Sequence, residues 1–153
     1  MSPVPNPDST AFVILDLARL FRAEFEYQVT QSPLTLSPAE ARVLAHIARF
    51  APARSCRVAA SLGMSAMGVS EFTRKLAQAG YVTLRQDPTD QRAKVIELLP
   101  KADKALKLIG EISARIQRAA RRGFEQEDWE TFNRLALTLR GNLNSQGASR
   151  KSA

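Results

Sequence analysis

The residue types that carry most enzyme chemistry are sparse in this sequence. Cys56 is the only cysteine and His46 the only histidine, which excludes a disulfide within one chain and a cysteine-based metal cluster. Asp87 and Asp90 could pair two carboxylates, but in a polar turn both should be fully wet, with no pocket to separate their pKa values. Without a Cys–His or Ser–His–Asp set or a phosphate-binding glycine loop, the sequence predicts neither an enzyme nor a bound metal or cofactor.

Two of these residues have other roles open to them. Cys56 should begin a helix beside Arg54 and Arg57, whose charges could lower its pKa and make it an oxidation sensor. His46 falls on the polar side of a predicted helix. Because one imidazole without further ligands does not hold a metal, we expect His46 at the surface or at an interface.

The overall charge indicates an anionic partner. The 153 residues include 22 Lys and Arg against 15 Asp and Glu, a net charge of +7, and nucleic acid is one partner that such a charge favours. This length, with 44% hydrophobic residues, suits a single core. The N-terminus has no signal-peptide pattern, and no run of about 18 apolar residues occurs, so we expect a cytoplasmic, nucleoid-associated protein without a membrane partner.

Apolar periodicity predicts a mainly α protein with six helices and a small β-ribbon. Helix starts are marked by the caps Ser37 and Ser65, and helix ends by Gly63 and Gly80. In chain order the helices are expected at about 10–28, 38–50, 55–63, 66–80, 100–122 and 125–142, and the ribbon strands at 81–84 and 95–99.

A helix-turn-helix motif is predicted between Ala59 and Val69. Two helices that cross closely need a small residue such as Ala59, the turn needs Gly63, and the second helix needs the apolar Val69 facing the first. An ordinary helical hairpin would use the same residues for packing alone. The ribbon that follows, however, brings Arg92 and Lys94 to its tip, where they could straddle a phosphate backbone. We therefore favour a DNA-binding winged helix.

The segment 62–106 resembles the winged helix of the MarR family of transcriptional regulators. Its wing, residues 87–94, contains Asp90 and Arg92, which match the family's Asp-x-Arg element, and the order of the six helices extends the resemblance over 9–143. The resemblance implies that Arg92 reaches a minor groove. It also implies a homodimer on a pseudo-palindromic operator and a repressor released by a small, aromatic or phenolic effector, whose binding residues the sequence does not identify.

The chain departs from the family pattern at a few positions. Gln91 stands where many relatives have arginine or lysine. Glu71 occupies a recognition-helix position that is often basic, and a carboxylate there repels phosphate and suits only the amino group of cytosine, so we expect an unusual sequence preference. Relatives that sense peroxide keep their reactive cysteine in the first helix, which has none here, so redox sensing through Cys56 is the less favoured alternative.

These arguments assign the DNA contacts. Ala66 or Met67 could touch a thymine methyl group, Ser70 could bond a base or a phosphate, and Asp90 should brace the wing. The predicted recognition-helix contacts are Ser65, Ala66, Met67, Gly68, Ser70, Glu71, Arg74 and Lys75. The predicted wing contacts are Arg85, Asp90, Arg92 and Lys94.

The expected organisation follows from these roles. A disordered arm should cover residues 1–8, the winged-helix lobe 37–100, dimerisation helices 9–31 and 101–145, and a flexible tail 146–153. The predicted dimer interface comprises Phe12, Leu15, Leu20, Trp129, Phe132 and Leu139. Because a fold does not dictate its partner, the alternative is a winged helix that contacts protein or RNA.

Overall fold

A computed structural model describes the backbone of residues 6–151 and the side chains of residues 6–147. Most of the predicted N-terminal arm and the end of the predicted tail lie outside these residues. The chain divides into two compact units that meet between Ile116 and Gln117. No helix in the described part is long and apolar enough to cross a membrane.

Six helices form, as the sequence predicts. They are α1 Thr10–Thr30, α2 Pro38–Phe50, α3 Ser55–Leu62, α4 Ala66–Gln78, α5 Lys101–Ala120 and α6 Gln126–Lys151. The predicted end of the last helix near Asn142 is wrong, because α6 continues to Lys151. Small and polar residues after Gly141 weaken the apolar pattern there but do not break the helix, since they include no proline.

The sheet has three strands rather than the predicted two. They are β1 Ala53–Arg54, β2 Val82–Gln86 and β3 Lys94–Leu98, in the antiparallel order β1-β3-β2. Ala53 pairs with Ile96 on one side of β3, and Leu84 pairs with Ile96 on the other. Two residues are too few to show the alternation that marks a strand, which is why β1 escapes prediction.

The helix boundaries around the sheet follow from the predicted caps. At Ser37 the hydroxyl accepts the Glu40 N–H at 3.2 Å, and the Glu40 carboxylate accepts the Ser37 N–H at 2.8 Å, a complete capping box. Ser65 accepts the Gly68 N–H at 3.1 Å and so starts α4. Gly63 ends α3 with φ of +63°, a left-handed conformation that disfavours residues with a Cβ.

The core lies in the first unit and joins the helices to the sheet. Its fully buried side chains come from the helices and from the middle strand; they include Val43, Leu44, Ile47, Val58, Val69, Leu76, Ile96 and Ile112. Ile109 and Ile116 continue the stripe of α5. These contacts hold α3, α4 and the sheet as one body.

Most of the large apolar side chains of α1 are not buried within the chain. Only Val29, near the end of that helix, is buried, and eight large hydrophobic side chains of α1 are exposed: Phe12, Val13, Ile14, Leu15, Leu17, Leu20, Phe21 and Tyr27. Within the second unit, α6 likewise exposes Phe132, Leu135, Leu137, Leu139 and Leu143. Periodicity shows that a face is apolar, but it does not show what covers that face.

Replacing two glycines by alanine should change stability in opposite directions. No atom lies within 4 Å of the position of an added Cβ at Gly63 or at Gly110, but only Gly63 has a positive φ. Gly63→Ala should therefore destabilise the protein by about 1–2 kcal/mol through backbone strain. Gly110→Ala, inside α5, should stabilise it by about 0.5–1 kcal/mol. Urea unfolding of both variants measures this, and a destabilising Gly110→Ala would show that α5 is not packed as described.

Candidate nucleic-acid interface

Helix α4 has one packed face and one free face. Val69, Thr73 and Leu76 are buried against the core. The opposite face carries most of the predicted recognition residues, and those exposed are Ser65, Ala66, Met67, Ser70, Glu71, Arg74 and Lys75, with Gly68 partly buried. Met67 is 83% exposed. Because the opposite face of α4 is packed against the core, the free face is held in a fixed position for a partner.

Several polar groups on the free face are already bonded within α4. The Ser70 hydroxyl donates to the Ala66 carbonyl at 2.9 Å, and the Lys75 ammonium lies 3.2 Å from the Glu71 carboxylate. The negative charge of Glu71 is therefore partly neutralised beside the face. At Gly68, an added Cβ would lie 3.3 Å from the Ser65 hydroxyl oxygen, so a larger residue would press on the cap that starts the helix.

The wing carries the other predicted contacts. Arg85, on β2, has its Nε 2.9 Å from a carboxylate oxygen of Glu97 on β3. Lys94 begins β3 opposite Gln86. Asp90 accepts the backbone N–H of Arg92 at 3.0 Å, which is a bracing bond. The exposed Arg92 side chain has no ion pair among the residues with described side chains.

The expectation that both wing carboxylates are fully exposed to solvent is wrong for Asp87. It is only 5% exposed. Its Oδ1 accepts the Thr89 N–H at 2.8 Å and the Thr89 hydroxyl at 2.7 Å, and its Oδ2 accepts Nε of Arg54 at 2.6 Å. These bonds, from the Thr89 N–H, the Thr89 hydroxyl and the Arg54 guanidinium in that order, lower the pKa of Asp87 to about 2. Sequence reasoning missed this bond because it did not predict β1, the strand that brings Arg54 to the wing.

The remaining predicted residues lie on separate elements. Cys56 is exposed in the first turn of α3. Phe12, Leu15 and Leu20 are exposed on α1, as are Phe132 and Leu139 on α6. Trp129 is half-buried, and its ring stacks on Phe132 with a centroid distance of 5.7 Å. The predicted dimer residues are thus apolar and accessible on each helix.

A cavity of about 330 Å³ lies within the first unit. Side chains from α1, α2, α3 and α5 line it: Phe21, Arg22, Phe25, Arg42, Ala45, His46, Ser61, Leu62 and Ser113. The sequence did not identify this site. Arg42 and His46, four residues apart on one helix face, were the available signal.

Two of the five polar residues that line the cavity, Arg42 and His46, come from α2. Nδ1 of His46 lies 2.8 Å from the Ser61 hydroxyl, and burial, followed by the charges of Arg49 and Arg42, lowers the pKa of His46. Arg42 pairs with Glu26 at 3.1 Å through Nη1, while its Nε is buried without a hydrogen bond among the described atoms.

Sequence and fold comparisons converge on one family. Residues 34–93, which contain α2 to α4 and most of the wing, match the model of the MarR family. The chain is MarR-like in fold, and this segment is MarR-like in sequence. No curated protein matches it significantly.

The MarR-like fold extends over nearly the whole chain. A crystal structure of MarR superposes with a TM-score of 0.78 at 17% identity, covering 97% of this chain and 99% of that one. A MarR protein from Peptoclostridium difficile gives 0.76 at 19% identity, with 95% of each chain covered. The PcaV transcriptional regulator from Streptomyces coelicolor, solved with its natural ligand, gives 0.67 at 18% identity, covering 92% of this chain and 98% of that one.

Asp87 should make stability depend on pH in the acid range. Its folded pKa of about 2 lies below the ordinary value of 3.8, so its stabilising effect is complete above about pH 4 and disappears as the pH falls towards 2. Urea unfolding of wild type and Asp87→Asn should show a stability difference that is constant near neutrality and shrinks below pH 4. The control Asp16→Asn, from an exposed pair with Arg19, should change stability little. A difference that grows on acidification would contradict the bonding of Asp87.

Proposed function

We propose that the protein is a transcriptional repressor that binds double-stranded DNA in a sequence-specific way as a homodimer and is released by a small anionic effector. The observation that carries the proposal is the free face of α4, beside a wing tip whose Arg92 has no acidic partner among the described side chains. The net charge of +7 and the MarR-like fold support it.

The free face of α4 suits a major groove. The N-terminal part of a recognition helix meets base edges, and here that part offers Ala66 and the highly exposed Met67, both suited to a thymine methyl group. Ser70 and the Glu71–Lys75 pair follow one turn later. Arg74 and the N–H groups at the start of α4, beside Ser65, are suited to phosphates.

The wing suits the adjacent minor groove. A planar, weakly hydrated guanidinium fits a narrow minor groove better than an ammonium group does, and this favours Arg92 as the minor-groove contact. Arg85 and Lys94 lie closer to the sheet and are suited to the flanking phosphates.

Dimerisation would explain the exposed apolar side chains of α1 and α6. Such surfaces are rare on soluble monomers unless they serve as interfaces. The proposed contact uses Phe12, Leu15 and Leu20 together with Trp129, Phe132 and Leu139. A twofold dimer reads a pseudo-palindrome whose half-sites are about one helical turn, or a multiple of it, apart.

DNA binding should depend on Arg92 and on salt. Mobility shifts with the DNA upstream of the protein's own gene, at two salt concentrations, should show tight wild-type binding that weakens as salt rises. Arg92→Ala should weaken binding by about tenfold. It should also reduce the slope of log affinity against log salt concentration by about one, since one fewer counterion is released. The control Arg115→Ala removes the same charge from an exposed position on α5 and should bind almost as wild type does. No preference over random DNA would instead favour the protein- or RNA-contact alternative.

The cavity is the proposed effector site. Its volume of about 330 Å³ falls at the lower end of the range for small-molecule pockets. Phe21 and Phe25 supply aromatic surface, while the guanidinium groups of Arg22 and Arg42 supply donors for a carboxylate. The ligand-bound state of the similar PcaV is consistent with an effector-responsive protein. Because α3 contributes Ser61 and Leu62, an effector there would touch the helix-turn-helix directly.

An aromatic carboxylate should release the DNA through this cavity. Salicylate is the probe, and it should dissociate the wild-type complex in a mobility shift. Arg22→Gln and Arg42→Gln should bind DNA normally but need about ten- to a hundredfold more salicylate, because each loses a charge-assisted hydrogen bond. The control Arg19→Gln changes an α1 arginine outside the cavity and should respond as wild type does. Equal responses from all four proteins would exclude this site.

A further inference from the structure

Arg54 occupies a junction between the helix-turn-helix and the wing. It is the second residue of β1, and α3 begins at the next residue. Its Cα pairs with Val95 of β3, and Val95 pairs on its other side with Arg85 of β2. The backbone of Arg54 is therefore fixed both to the sheet and to the first helix of the motif.

The side chain of Arg54 is held by the wing loop. Its Nε donates to Asp87 Oδ2 at 2.6 Å, and its Nη2 donates to the Thr89 hydroxyl at 3.1 Å. Asp87 holds Thr89 in turn, through the backbone N–H and the hydroxyl. We call Arg54, Asp87 and Thr89 the wing cluster.

The wing cluster lies where the wing leaves the sheet. Asp87 is the first residue after β2, and its N–H donates to the Ala93 carbonyl at 3.0 Å. The loop between these two residues carries Asp90 and Arg92. By bonding Asp87 and Thr89, the Arg54 guanidinium therefore fixes the direction in which this loop leaves the sheet.

The cluster has features of a positioning device rather than of a DNA contact. Asp87 is 5% exposed, while the Arg54 side chain is 44% exposed. The Arg54 donors that point to the loop are used within the protein. A buried carboxylate on a DNA-binding surface repels phosphate, so its presence there calls for a structural reason.

We propose that Arg54 is a positioning residue for DNA binding, which holds the wing loop through Asp87 and Thr89 so that Arg92 and the free face of α4 can engage DNA together. The inference rests on the proposed function. It adds to that function a residue that lies outside both the recognition helix and the wing.

Removing the two charges separately distinguishes positioning from electrostatics. Arg54→Gln removes a positive charge, and simple attraction to DNA predicts weaker binding. Asp87→Asn removes a negative charge, and simple attraction predicts tighter binding. Positioning by the wing cluster predicts that both variants bind more weakly, by about tenfold, because each breaks a charge-assisted hydrogen bond.

The double variant Arg54→Gln/Asp87→Asn keeps the net charge of the wild type. Electrostatics alone predicts wild-type affinity for it, whereas positioning predicts a loss similar to that of either single variant, since both singles break the same contact. In the Arg54→Gln background, Arg92→Ala should reduce DNA affinity much less than in the wild type, because the wing loop no longer holds Arg92 in position to contact DNA. Arg115→Gln is the control for loss of one arginine.

The experiment measures operator affinity by fluorescence anisotropy for these variants, after thermal melts identify those that are folded at the assay temperature. Amide hydrogen exchange of residues 87–93 in the DNA-free protein gives a second readout, which should be faster in Arg54→Gln and unchanged in Arg115→Gln. Weaker binding by Asp87→Asn together with faster exchange supports the proposal. Wild-type or tighter binding by Asp87→Asn overturns it, as does unchanged exchange. If wild type binds no DNA at all, the proposed function fails and the positioning role fails with it.

Discussion

The pairing of β3 between β1 and β2 is the constraint on which the proposed DNA-binding surface depends. β1 leads directly into α3, and β2 follows α4 after the short turn at Gly80 and Tyr81. Ile96, fully buried in the middle strand, pairs with Ala53 on one side and Leu84 on the other. The helix-turn-helix and the wing therefore share one small sheet and one core, so the relative positions of their functional side chains are set before any partner arrives.

The charges on this surface are unevenly compensated. Arg54 is paired with Asp87, Arg85 with Glu97 and Lys75 with Glu71. Arg92 and Arg74, by contrast, lack acidic partners among the residues whose side chains the structure describes. Arg92 and Arg74 can therefore meet an anionic partner without first breaking an ion pair.

Sequence reasoning worked where a local physical rule dominates. The Ser37 and Ser65 caps and the left-handed Gly63 that ends α3 depend on neighbours within a few residues, and all are found as predicted. The two-residue β1, the buried state of Asp87 and the cavity at Arg42 and His46 depend on contacts between distant segments. Arg54 and Asp87 are 33 residues apart in sequence, and no local sequence pattern predicts a bond between such distant residues. The exposed apolar side chains of α1 are an intermediate case, since the sequence predicted an apolar helix at a dimer interface and the structure of one chain shows only that these side chains are exposed.

The bonds within the wing loop have a thermodynamic consequence. Asp87 and Ala93 bond across the base of the loop, Ala93 and Asp90 bond inside it, and Arg54 holds it from outside. A loop that is ordered beforehand has already lost the conformational entropy that a disordered wing would lose on binding. Association should then lack the large negative heat-capacity change that accompanies folding coupled to binding. The temperature dependence of affinity would then depend mainly on the surface area buried between the protein and its partner, and little on folding of the wing loop.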